Sequence, residues 1–395
     1  MTLAVKRMTI YPLSFPLGRK VSHATSERAV SEPIVVAVEL MNGVVGYGET
    51  LPREYVTGET NETVLELLQG EFAKELLAFS PEGFPEALEA IDALPCIAED
   101  GSNCSAARAC VELALLDAVL RSEGQSLDGV TGWLGDPKLG SPGSEKTCRF
   151  SMVLASNSIS SIARTVRYAK WAGIRNFKLK VGMPDDDARI ESVMGVLGGL
   201  LGRGKATLRL DANGVWDVDQ AADAVKRWRH VPLSGIEQPL SPSRDNDLVE
   251  LKRRVDVPIF HDESLSTFED AERLFELGVA DGFNIRISKC GGLLASLKLA
   301  SIAIKRKIQI QLGCMVGETS LLSGAGVRFL QMTPGVRFAE GSFGPLLSRH
   351  DIAPKRVRFT WGGKLPKLNE QGLGVDVSTE LLSQHVQGKP IVIEL

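Results

Sequence analysis

From about residue 147 onward, short apolar runs recur at intervals of about 24 to 30 residues, with segments of helical character between them. The strand candidates are 149–153, 177–181, 207–211, 234–238, 258–262, 283–287 and 307–312, and the intervening helices include 158–171, 183–201, 218–229, 267–277 and 292–306. That rhythm belongs to repeated βα units, because antiparallel hairpins return after far fewer residues. Val336 to Ala339 supplies an eighth strand, enough to close a barrel. An open doubly wound sheet has the same local pattern, so the choice between the two rests on where the charges fall.

The first 140 residues follow another pattern. Val5 to Tyr11, Pro33 to Leu40 and Val44 to Tyr47 read as strands, and Asn42-Gly43 marks a hairpin between the last two. Residues 61–75 and about 102–123 have helical periodicity. Strands first and helices afterwards predict a small α+β domain over 1–140, ending where Gly135-Asp136-Pro137 and Ser141-Pro142-Gly143 form a turn-rich link. The expected barrel occupies 141–352. Over 353–395 the spacing breaks and alternating stretches return at Arg356 to Thr360 and Ile391 to Glu394, a tail expected to fold back over the first domain.

Composition narrows the partners. Forty-nine acidic and 45 basic residues leave a formal charge of -4 with no long basic block, which argues against nucleic acid and for a small molecule. The six cysteines form no CxxC pair, as expected of reduced thiols in a large intracellular protein. No apolar run is long enough for a membrane span, and the opening LAVKRMTIYPL lacks the layout of a secretion signal, so the expected location is the cytoplasm.

Three consecutive strand candidates end in an acid: LRLD at Asp211, GIE at Glu237 and VPIFHD at Asp262. Strand C-termini in a βα barrel converge on one rim, so these oxygens become neighbours and suit a hard divalent cation such as Mg2+. Any one acid could instead cap the following helix. Three together repel unless a cation or basic groups compensate them. Glu263 is a further possible ligand, although strand alternation aims it away from Asp262. One strand earlier, Lys178 and Lys180 in Phe177-Lys178-Leu179-Lys180 share the inward face. Lys180, at the rim, is the candidate base, and Lys178, one layer deeper, the candidate holder of a substrate carboxylate.

With Lys178-Leu179-Lys180, Asp211-Ala212-Asn213-Gly214, Glu237-Gln238-Pro239, Asp262-Glu263-Ser264 and the run from Asn284 through Arg286, Lys289 and Gly291-Gly292, the chain closely resembles the enolase superfamily, specifically its muconate-lactonising (muconate cycloisomerase) subgroup. The resemblance spans nearly the whole chain. It implies an α/β fold, a modified TIM barrel (β/α)7β with an N-terminal α+β capping domain, in an enzyme of the mandelate racemase/muconate lactonizing type. It further implies Mg2+ on Asp211, Glu237 and Asp262, and Lys180 as the base that forms an enediolate. Asn213 and Glu263 are then groups that orient their neighbours, and the segment Leu51 to Thr60, with Tyr55, is the cap loop that selects substrate. Related barrels usually form symmetric homo-oligomers.

One departure bears on the chemistry. Where the family pattern has a first lysine facing Lys180, this chain has Arg286, while Lys289 matches the second. A guanidinium is no base near neutral pH. The expectation is therefore one-base chemistry on a small carboxylic acid, dehydration or cycloisomerisation, with Arg286 gripping a carboxylate or stabilising the enediolate. Racemisation or epimerisation of an amino-acid derivative or dipeptide, with Lys289 or an acid as second base, is the alternative, and a non-catalytic metal and carboxylate binder is another. Glu340 and Glu318 are further rim candidates, and His261 is expected to be structural.

Overall fold

Two sheets of opposite character organise the computed structural model, which describes residues 3–23, 26–140, 148–156, 158–341, 348 and 350–395. The N-terminal strands are β1 (Val5–Pro12), β2 (Phe15–His23), β3 (Ser26–Ser31), β4 (Ile34–Leu40) and β5 (Val45–Thr50). The parallel strands follow as β6 (Met152–Leu154), β7 (Asn176–Lys180), β8 (Thr207–Asp211), β9 (Leu233–Glu237), β10 (Ile259–His261), β11 (Gly282–Ile285), β12 (Gln309–Leu312) and β13 (Val336–Ala339), and β14 (Ile391–Glu394) comes last.

The antiparallel sheet has the order β14-β1-β4-β5, and β2 pairs with β3 in a separate hairpin. Ile391 and Ile393 lie opposite Ile10 and Met8, so the C-terminal strand completes the N-terminal sheet. Helix Ser105–Glu123 covers that sheet. It is apolar around most of its circumference and buried from Ser105 to Leu120, as expected of a helix enclosed on all sides. Two glycines set how closely it packs. A β-carbon on Gly46 would lie 2.2 Å from the Ala118 nitrogen, and one on Gly48 would lie 1.9 Å from the Cys110 carbonyl oxygen. Only bare backbone at both positions lets helix and strand touch.

The second sheet runs in chain order from β6 to β13, every pair parallel. It curls until its edges meet: Phe150 forms a parallel bridge to Ala339, and the Ser151 amide donates to the Ala339 carbonyl at 2.7 Å. Alternation divides each strand between two environments. Phe177, Leu179, Leu208 and Leu210 face outward into a core with Ile162, Val166, Ile190 and Val193 of the flanking helices, which leaves Lys178, Lys180, Arg209 and Asp211 facing in.

The structure departs from the sequence expectation at several elements. The β2–β3 hairpin and helices Phe84–Asp92, Leu248–Arg254 and Ser320–Met332 were not among those anticipated. The helix expected over 61–75 is two, Asn61–Gln69 and Glu71–Ala78, broken at Gly70. Arg356 to Thr360 alternates in sequence but forms no strand: the Val357 amide donates to the Ser320 hydroxyl, and Thr360 makes an isolated bridge to Lys364. The Ser141-Pro142-Gly143 part of the expected link lies outside the described residues. Among the described residues no helix is long and apolar enough to cross a membrane.

Candidate active site

Register places the inward groups in layers. Lys180 is paired with Asp211 and Asp211 with Glu237 across β7, β8 and β9, while Lys178 and Arg209 are paired one layer below. The strand ends turn sharply. Asn213 (φ 47°) and Gln238 (φ 38°) both adopt left-handed backbone, a conformation costing about 1 kcal/mol or more in a residue with a side chain. Each offsets that cost through its amide. Gln238 donates to the Leu240 carbonyl and the Ser264 hydroxyl, both at 2.7 Å, and its oxygen accepts the Asp262 amide at 2.9 Å, which ties the end of β9 to the position of Asp262.

The three carboxylates are fully buried, and each is met by basic groups. Lys178 Nζ lies 2.8 Å from Glu237, 2.7 Å from Glu340 and 3.3 Å from Asp211. Lys180 Nζ donates to Asp211 at 3.2 Å and to the Asn213 side-chain oxygen at 2.7 Å. Asp262 accepts from Arg286 on one oxygen and from Lys289 on the other, the latter at 3.0 Å. Glu237 also accepts from Asn284 at 2.9 Å and Gln311 at 2.7 Å. Beneath them Arg209 binds Ser151, Gln311 and Glu340 with its guanidinium carbon 4.1 Å from the centre of the Phe338 ring.

These neighbours set the proton affinities. Burial opposes charge on Lys178, but Glu237, Glu340 and Asp211 outweigh it and hold the amine well above the ordinary lysine range. Burial would raise Asp211, and the nearby Lys180 and Lys178 ammonium groups instead hold it well below the usual carboxylate range. Lys289, without exposure, is lowered to about 8 by burial. Glu263 is raised to about 7 by burial and by the Asp211 charge.

Several expectations change on contact with this geometry. Strand β10 ends at His261, so alternation does not govern Asp262 and Glu263, and Glu263 turns toward the site to accept from Asn213 at 3.2 Å. Lys289, the candidate second base, is committed to three acceptors: the Asp262 carbonyl at 2.5 Å, the Asp262 carboxylate and the Asn284 carbonyl at 2.9 Å. Glu318 does not cap the next helix, whose N-cap is Thr319. It braces its own loop by accepting from the Met315 amide at 3.1 Å and the Ser323 hydroxyl at 2.7 Å. Within Leu51 to Thr60 only Glu54, Tyr55 and Gly58 are exposed, while Val56 packs on Met315 and Glu59 accepts from the Ala106 and Ala107 amides at 2.7 and 2.9 Å. Glu340 bridges Lys178 and Arg209, and the rim segment that follows it, from Ser342 to Pro345, lies outside the described residues. His261 donates from Nε2 to the Val279 carbonyl, 3.0 Å away, with its ring fully buried.

Among the described residues no three His, Cys, Asp or Glu side chains are grouped as a ready cation cage. The donor chemistry nonetheless fits a hard divalent ion. Asp211, Glu237 and Asp262 offer only oxygen, come from the ends of successive strands, and each is met by a basic side chain. Among the described residues the Asn284 side-chain oxygen and Glu263 Oε2 are buried without a hydrogen-bond partner, so polar capacity remains around the site. Sequence reasoning passed over Arg209, Gln311 and Asn284 as site residues. Their signal was available, since each is a polar residue at an inward position of an otherwise apolar strand.

Known proteins resemble this chain over nearly its whole length. Muconate cycloisomerase 1 of Rhodococcus opacus is 29% identical over 373 residues, covering 93% of this chain and 94% of that protein. The crystal structure of the N-succinyl Arg/Lys racemase from Bacillus cereus superposes with a TM-score of 0.85 at 22% identity, covering 99% of this chain and all of that one. A dipeptide epimerase from Cytophaga hutchinsonii, solved with Mg and the dipeptide D-Ala-L-Val, gives a TM-score of 0.84 at 21% identity, covering 99% of this chain and 100% of that one. The family model for enolase C-terminal domain-like proteins matches residues 161–381, more than half of the 395. The chain therefore belongs to the enolase C-terminal domain-like family, within the enolase superfamily of enzymes.

Proposed function

We propose that this enzyme uses Mg2+ to remove a proton from the carbon beside a carboxylate, with Lys180 as the base, and that dehydration or cycloisomerisation of a small carboxylic acid follows. In this reading residues 141–352 form a (β/α)7β barrel capped by 1–140 and 353–395. The observation that carries it is the position of the Lys180 amine at the strand ends, 3.2 Å from Asp211, which is itself paired with the buried Glu237 of the next strand, with the buried Asp262 just beyond the end of the strand after that. Mg2+ bound by Asp211, Glu237 and Asp262 would supply the positive charge that makes the carbon acid reactive.

The chain's own groups divide the remaining work. Lys178, gripped by three carboxylates, stays charged and is suited to hold a substrate carboxylate rather than to take a proton. Asn213 orients Lys180 through its side-chain oxygen and is itself held by Glu263. Arg286 carries charge but accepts no proton near neutral pH, which favours one-base chemistry.

The second reading is racemisation or epimerisation, favoured by the racemase and epimerase names among the related structures. Incubation in deuterium oxide with a panel of dipeptides, N-succinyl amino acids and lactone acids separates the two. One-base chemistry exchanges the α-proton with retention of one configuration, whereas epimerisation labels both stereoisomers. Lys180→Ala is expected to abolish exchange while Mg2+ binding persists, and unchanged exchange removes Lys180 from the base role.

A further inference from the structure

Asp262 is unusual among the three carboxylates because a long, poorly satisfied cation occupies one of its oxygens. Arg286 reaches Asp262 with Nη2, yet among the described residues its Nη1 has only the weak Met315 sulfur at 3.7 Å, and its buried Nε has no hydrogen-bond partner. Lys178 and Lys289 are each fixed by three oxygens, so they have more to lose by moving. Among the described residues Arg286 has one strong partner, Asp262. A small cavity of about 10 Å³ lies beside it, lined among others by Gly313, Met315, Glu318, Glu340 and Gly341. Gly313 is part of how the side chain fits: a β-carbon there would lie 2.8 Å from Arg286 Cγ.

We infer that Arg286 competes with the divalent cation for Asp262, so that its guanidinium sets how tightly the metal binds. The inference rests on the metal reading above and adds that Arg286 must leave Asp262 before that oxygen can be a ligand. A cation of charge +2 and a guanidinium cannot share one buried carboxylate oxygen without strong repulsion. The metal's apparent affinity then falls by the fraction of molecules in which Asp262 is free. Once displaced, the planar fork is available to an anionic group, the geometry in which arginine binds carboxylates best.

The test is isothermal titration of Mg2+ into the EDTA-treated full chain. Arg286→Met should bind Mg2+ about tenfold more tightly or better, as expected if Asp262 is free in about a tenth of wild-type molecules. A gain in affinity is an outcome that mere structural damage does not produce. Gly313→Ala supplies a second variant that keeps every charge. Its new methyl pushes on Arg286 Cγ, and on the Asn284 side-chain oxygen at 2.4 Å, and should shift Mg2+ affinity in the same direction by a smaller factor. Wild-type or weaker affinity in Arg286→Met overturns the inference while leaving the metal reading intact. No Mg2+ binding by any of the three proteins overturns both.

Discussion

The carboxylate of Glu112 rests so closely on Gly292 that a β-carbon there would lie 2.0 Å from Oε2. Glu112 sits inside helix Ser105–Glu123, and its two oxygens accept the Leu293 and Leu294 amides, each at 2.8 Å. A buried side chain of the N-terminal region thus caps helix Leu293–Lys305, which begins just after Arg286 and Lys289. Gly292 has φ 113°, a conformation that side chains rarely adopt. Gly292→Ala therefore meets both backbone strain and a collision, and is expected to destabilise the fold by about 3 kcal/mol or more. Urea denaturation measures this directly, and a loss under about 0.5 kcal/mol, the range of an indifferent surface change, would disprove the close fit.

Glu49 makes a second such contact, with its carboxylate accepting the Thr319 amide at 2.7 Å, the Thr319 hydroxyl at 2.6 Å and the Leu322 amide at 2.9 Å. Burial raises Glu49 from the ordinary 4.5 to about 8 despite those donors, and burial likewise raises Glu112 to about 7. An acid with a raised affinity in the folded state keeps its proton there after the unfolded chain has released it. Stability from these two groups is thus full below about pH 4.5 and is lost as pH rises through about 7 to 8. Thermal midpoints should fall between about pH 5 and pH 9, and Glu49→Gln should flatten the decline. A midpoint that climbs across that window would contradict the burial argument.

The same pairs explain what was legible in the sequence. Lys178, Lys180 and Asp211 could be assigned a face because strand alternation depends only on local backbone, and β7 and β8 are regular to their ends. Glu263 could not, since β10 stops at His261 and the following turn reorients the side chain. The rhythm of parallel strands was readable because apolar runs alternate with helices of ordinary length. The β2–β3 hairpin was not, because Phe15-Pro16-Leu17-Gly18 combines a proline and a glycine inside a strand. Which base meets which acid depends on the stagger between neighbouring strands and on side-chain reach. Neither the hold of Lys289 and Arg286 on Asp262 nor the docking of Glu112 and Glu49 on distant helices leaves a local pattern to read.

Arg209 and Glu340 offer the most direct test of the network beneath the candidate site. Arg209 is fully buried, with Nη2 3.1 Å from Glu340, and the other Glu340 oxygen lies 2.7 Å from Lys178. Arg209→Leu leaves Glu340 with one cation where it had two and strands the side-chain oxygen of Gln311, which also accepts from Arg209. Breaking one side of a buried pair typically costs about 3 to 5 kcal/mol, because the remaining charge stays desolvated. Glu340→Leu is expected to cost a similar amount by leaving Arg209 and Lys178 short of an anion. Combining the two removes both members of the pair, so the double variant should lose less than the sum of the singles by about 1 to 3 kcal/mol. Chemical denaturation of the four proteins closes the cycle, and strictly additive losses would mean that Arg209 does not hold Glu340. Because Glu340 also holds Lys178, Arg209→Leu should further loosen the amine proposed to receive the substrate carboxylate. That change should appear as a raised KM for whichever acid the exchange assay identifies, with a smaller change in kcat.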